Sequence, residues 1–116
     1  MSSTNYAKRS RPPRFGEWLR QLRVAKGVPL RTVAAAADMD MAHLSKIELG
    51  QRLPTEEQTT KLAKFFGTSE TETQARRMAE KFHQETHDNP RAAHEAVCIL
   101  AEGAGIYSAI KKGSKG

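Results

Sequence analysis

Cysteine occurs once in the 116 residues, at Cys98, so no intramolecular disulfide can form. Val97, Ile99 and Leu100 surround it in sequence, which reads as a buried, reduced thiol. Aromatic residues are scarce at 6%, so Leu, Ile, Val, Met and Ala must fill any core. No apolar run approaches the roughly 20 residues that span a bilayer, and no apolar leader opens the chain. A cytoplasmic protein that does not enter the membrane is the expectation. There is no strand signal and no internal repeat. No Gly-rich phosphate loop and no nucleophile–base constellation is visible, so neither an enzyme nor a cofactor is expected. What is present is positive charge, a net +6. A polyanion is the natural partner, with nucleic acid and an anionic surface as the two classes.

Four basic residues and no acidic one occupy residues 1–14: Lys8, Arg9, Arg11 and Arg14. Pro12-Pro13 holds off a helix until Phe15. This reads as a disordered basic tail, either a solubilising terminus or an arm lying along phosphate. A first helix then runs over Phe15–Lys26, with Phe15, Trp18, Leu19, Leu22 and Ala25 on one apolar face. Gly27 ends it. A second, alanine-rich helix begins near Pro29 and turns Val33, Ala34 and Ala37 inward. Asp38-Met39-Asp40 is a tight turn, with Met39 tucked into the core and Asp40 capping a third helix. That helix spans Met41 to Leu49, with Leu44 and Ile47 inward, and Gly50 terminates it.

Two short helices joined by so tight a turn have the layout of a helix-turn-helix, whose second helix enters the major groove of DNA. Thr55 and Gln58 form a capping box for a fourth helix, which buries Leu62, Ala63, Phe65 and Phe66 and closes at Gly67. Thr68 or Ser69 caps a fifth helix reaching Thr86. Its apolar residues are Ala75, Met78, Ala79 and Phe82. After Asp88-Asn89-Pro90 a last helix is expected over Arg91–Glu102. Ile106, Tyr107 and Ile110 make a short apolar patch before a basic tail, residues 111–116.

Residues 15–68 resemble the Cro/repressor-type (XRE) helix-turn-helix family. The likeness rests on an ordered set: Leu19, Leu22-Arg23, Gly27, Val33-Ala34, Leu44-Ser45-Lys46-Ile47-Glu48, Gly50, Pro54 and Leu62-Ala63. It implies an all-α, five-helix DNA-binding domain, with residues 69–110 as a helical extension used for dimerisation. Met41, Ala42 and Lys46 fall where the family reads base edges, with His43 and Ser45 beside them. Gln51 and Arg52 fall where phosphate contacts cluster. Arg31 and Thr32, opening the second helix, join this DNA-binding set. Arg23 and Glu48 match a structural ion pair between the first and third helices. Two positions depart from the pattern. Leu30 stands where the family often has a phosphate-binding glutamine, leaving that contact to Arg31. Asp38 stands where a left-handed glycine is common, a region aspartate tolerates better than most residues.

The resemblance thus implies a sequence-specific transcriptional regulator, a homodimeric repressor on a double-stranded operator. One bidentate contact discriminates by only about 1–3 kcal/mol, so Lys46 alone cannot supply the specificity and a second half-site is expected. The rival reading is an antitoxin-like or switch module that binds a partner protein. In one version a partner protease cuts the C-terminal segment near Gly103–Gly105. His83, His87, His94 and Cys98 show a metal-like spacing, but no second cysteine completes a set, and no metal is expected.

Overall fold

The computed structural model describes residues 12–103, and every regular element among them is helical. We number the helices α1 (Phe15–Lys26), α2 (Leu30–Ala36), α3 (Met41–Glu48), α4 (Glu56–Phe66), α5 (Glu70–Thr86) and α6 (Pro90–Cys98). A π-helical turn, Ile99–Gly103, follows α6. Two compact units divide the chain inside α5, one reaching Lys81 and the other starting at Phe82. The fifth helix of the helix-turn-helix domain is therefore the N-terminal part of α5. The expected arm residues Lys8, Arg9 and Arg11, the patch Ile106, Tyr107 and Ile110, and the tail 111–116 lie outside the described residues.

Local chemistry sets most helix ends. Gly27 and Gly67 take positive φ of 73° and 70° and close α1 and α4. The Thr55 hydroxyl accepts from Gln58 N at 3.0 Å, and the Gln58 side chain accepts from Thr55 N at 3.0 Å. For α5 the cap is Ser69, which accepts from Glu72 N at 3.1 Å. Asn89 caps α6 through Ala92 N at 3.2 Å, with Pro90 in the first turn.

The core of the first unit gathers Phe15, Trp18 and Leu19 from α1, Val33 and Ala34 from α2, Leu44 and Ile47 from α3, and Leu62 from α4. Small residues let these helices close up. A Cβ on Gly16 would stand 2.3 Å from Ile47 O and 2.6 Å from Glu48 O, so only glycine lets α1 meet the end of α3. Ala25, expected on the packed face of α1, is exposed. In the last turn of α1 only Leu22 and Arg23 are half-buried, so nothing covers its methyl.

The inward face of α5, which its thin apolar content left open, is polar. Ala75, Met78 and Ala79 are exposed, while Thr73 and Glu80 are buried. The reason is what lies opposite. Arg14 donates to Glu80 through Nε at 3.1 Å and pairs with it through Nη2. Arg77 Nε donates to Pro54 O at 2.7 Å, Gln74 Nε2 to Glu56 O at 3.1 Å, and Arg76 stacks 4.5 Å over the Trp18 ring. A polar inner face is stable here because each group meets a partner. No buried side-chain nitrogen or oxygen among the described residues lacks one.

The second unit corrects two further expectations. The last α-helix ends at Cys98, short of Glu102, and widens into the π-turn. No residue of α6 is buried, so packing imposes no α-helical register on its exit toward Gly103. For the same reason Cys98 is half-exposed, with its Sγ 3.9 Å from His94 Nε2.

Candidate nucleic-acid interface

The turn that aims α3 is built residue by residue. Asp38 takes φ 56°, the left-handed conformation the turn requires. Asp38 N donates to Ala35 O at 3.2 Å and Met39 N to Ala34 O at 2.9 Å, closing α2. Lys61 of α4 pairs with the Asp38 carboxylate, and this hydrogen bond raises the lysine's pKa. Met39 then packs partly buried against the core, and Asp40 accepts from His43 N at 2.8 Å to start α3.

Leu44 and Ile47 are fully buried, which pins one side of α3 and fixes the other toward solvent. At about 100° per residue, positions 41, 42, 45, 46 and 49 share the outer face, and His43 falls on its flank. Met41 is 51% exposed, Ala42 and Lys46 are exposed, and Ser45 and His43 are half-buried. Leu49, which the sequence reading left out of the site, is 68% exposed near the middle of this row. The signal was its spacing, seven residues after Ala42 and three after Lys46. The outer face is thus more apolar than expected: a cation and a hydroxyl among Met41, Ala42 and Leu49. Such a face suits thymine methyl groups with one hydrogen-bonding contact to a base.

Flanking positions supply donors for phosphate. Arg31 and Thr32 are exposed in the first turn of α2. Gln51 and Arg52 are exposed just past Gly50, whose φ of 80° turns the chain out of α3. Gln51 N closes this exit on Lys46 O at 2.8 Å.

Two ion pairs hold α3 from behind. Arg23 donates through Nε to Glu48 Oε2 at 2.7 Å and through Nη2 to Glu48 Oε1 at 3.1 Å. Its Nη1 reaches Val28 O at 3.3 Å. The hydrogen bonds to Glu48 raise the pKa of Arg23. Just past the same end of α3, Arg14 and Glu80 meet beside Gly50, a contact no sequence pattern announced. The hydrogen bond to Glu80 likewise raises the pKa of Arg14. A small cavity of about 90 Å³ lies between the start of α1 and the exit of α3, lined by Arg14, Gly16, Glu17, Glu48, Leu49 and Gly50.

Among the described residues no group of three or more His, Cys, Asp or Glu side chains could hold a metal ion. No described helix is long and apolar enough to cross a membrane.

A family model described as a helix-turn-helix domain matches residues 14–75. Among solved structures, the clp gene regulator ClgR from Corynebacterium glutamicum is similar, with 26% identity and a TM-score of 0.49. That match covers 78% of this chain and 88% of the other. No curated protein gives a significant match.

Proposed function

We propose that this chain, which belongs to the helix-turn-helix domain family of DNA-binding transcription regulators, acts as a homodimeric repressor reading its operator with α3. One observation carries this reading. The outer face of α3 presents Met41, Ala42, Ser45, Lys46 and Leu49 together, with Arg31, Thr32, Gln51 and Arg52 exposed at its two ends. Lys46 donates to a base edge, and the apolar members pack on thymine methyls. The basic flanks bind phosphate and set the register.

Dimerisation is supported by two uncovered apolar surfaces, one in each unit. In the first, Met78 is 59% exposed on α5, beside exposed Ala75 and Ala79. In the second, α6 and the π-turn expose Val97, Ile99 and Leu100 and bury nothing. A reading face with one strong hydrogen-bonding side chain needs a second half-site, and a two-fold dimer provides it about 34–36 Å away. We read the protein as non-enzymatic and cytoplasmic.

Selection of bound duplexes from a random pool tests the function. A palindromic motif with half-sites one helical turn apart is the expected outcome. Enrichment of no motif would support the rival reading, a protein-interaction switch. The protease variant of that rival concerns Gly103–Gly105, which runs past the end of the described residues.

A further inference from the structure

Four residues separate the end of the reading row at Leu49 from buried Pro54, and this short loop carries Gln51 and Arg52. Groups on the inner face of α5, or paired with it, lie at both ends of the loop. At the near end the paired Arg14 and Glu80 lie against Gly50. A Cβ placed there would be 3.4 Å from Arg14 Nη2 and 3.9 Å from Glu80 Oε2. At the far end Arg77 Nε donates to Pro54 O at 2.7 Å. Glu80 is only 4% exposed and Arg77 is half-buried. These groups face inward, away from any duplex on the outer face of α3.

A charged side chain buried this far needs a specific partner, and leaving it unpaired is costly. The apolar core of α1 to α4 explains neither Glu80 nor Arg77. Arg77 is explained by Pro54 O at the end of the loop, and Glu80 by Arg14, which lies beside Gly50. Gln51 N closes on Lys46 O and Leu53 packs against the core, but the side chains of Gln51 and Arg52 are exposed, so the contacts beside Gly50 and at Pro54 O add to what limits the positions these donors sample. Fixed donors bind phosphate better than mobile ones, because the ordering entropy is already spent.

From this geometry we propose that Glu80 and Arg77 of α5 are positioning residues for DNA binding. Through Arg14 and Pro54 they hold the Gly50–Leu53 loop so that Gln51 and Arg52 meet backbone phosphate. The inference rests on the DNA-binding reading above and extends it to a helix that does not touch DNA.

Electrostatics alone makes the opposite prediction, which gives a clean test. Glu80→Gln removes a negative charge, so simple charge counting expects tighter binding to a polyanion. Positioning expects weaker binding. The full chain is titrated against a labelled random-sequence duplex of about 30 base pairs, room for two half-sites, at several salt concentrations. Glu80→Gln should bind about tenfold more weakly. Its dependence of log K on log salt should be shallower by about one phosphate contact. In an Arg52→Ala background the same change should cost little more, because the braced group is already gone.

Arg77→Lys keeps the charge and loses the directed Nε–H donor. It should weaken binding several-fold, and it serves as the test should Glu80→Gln fail to give a helical circular dichroism spectrum. Unchanged or tighter binding by a folded variant overturns the inference while leaving DNA binding intact. Failure of the unaltered chain to bind the duplex overturns the DNA-binding reading itself, and the inference with it.

Discussion

Lys46 and Arg52 are both exposed cations a few residues apart, yet they lie on different parts of the surface. Lys46 sits in the outer row of α3, and Arg52 sits beyond the turn at Gly50. Lys46→Ala should therefore weaken binding to the selected operator by about 1–3 kcal/mol more than binding to random duplex. Arg52→Ala should weaken both alike and lower the salt slope by about one. Equal losses for Lys46→Ala on both DNAs would remove it from base readout. Behind the reading face, Glu48 is nearly buried, its side chain 8% exposed, and depends on Arg23. Arg23→Ala strands that carboxylate and should cost about 3 kcal/mol, read as a lower urea midpoint. Gly16→Ala should cost a similar amount, about 3 kcal/mol, because the new methyl meets backbone carbonyls that cannot rotate away. A Gly16→Ala protein as stable as the parent would mean that α1 and α3 can separate without loss.

Among the elements, α3 is the most closely specified. Its start is a cap from Asp40, its end is a left-handed glycine, and two large side chains hold its inner side. Asp40→Ala should cost about 1 kcal/mol through the lost cap, measurable by thermal melting. Helix α5 obeys a different logic. Its inward row is Thr73, Arg76, Arg77 and Glu80, and its outward row holds the apolar residues. Thr73 is satisfied within the helix start, donating to Ser69 O at 2.7 Å and lying 2.8 Å from Thr68 Oγ1. The outward apolar row of Ala75, Met78 and Ala79 is the surface the proposed dimer would use in the first unit. Met78→Glu should leave the melting temperature of the first unit nearly unchanged. It should shift sedimentation from dimer toward monomer if α5 contributes to the interface. Leu100→Glu makes the parallel test for the second unit. A dimer that survives both changes would place self-association elsewhere.

At the scale of the whole molecule, the net charge of +6 draws the chain to any polyanion. Specificity has to come from geometry instead. If α3 makes one strong base contact, as proposed, affinity for an operator should depend steeply on protein concentration through dimer formation. It should also fall with salt by about 0.9 in log K per log unit for each phosphate neutralised. Variants that break the dimer should lose operator affinity and keep most of their binding to random duplex. Retention of operator affinity by a monomeric variant would show that one domain suffices.

Much of this protein follows from near neighbours in the chain and was therefore legible in the sequence. The caps at Asp40 and Thr55, the left-handed Gly27, Asp38 and Gly67, and the inward Leu44 and Ile47 depend on residues three or four places away. The helical class and the turn follow in the same way, while membership in the family rests on an ordered set of positions across the domain. What lies opposite a helix is not written in its own periodicity. Apolar spacing singled out Ala75, Met78 and Ala79 without saying what they face; the tertiary structure leaves them exposed, because Arg14 and Pro54 O meet Glu80 and Arg77 from 66 and 23 positions away. The half-exposed Cys98 has the same origin in reverse, since no residue of α6 is fully buried. Local hydrogen bonding determined where the helices begin and end. Long-range pairing of polar groups decided which face of α5 is buried, and with it which of its residues stay exposed.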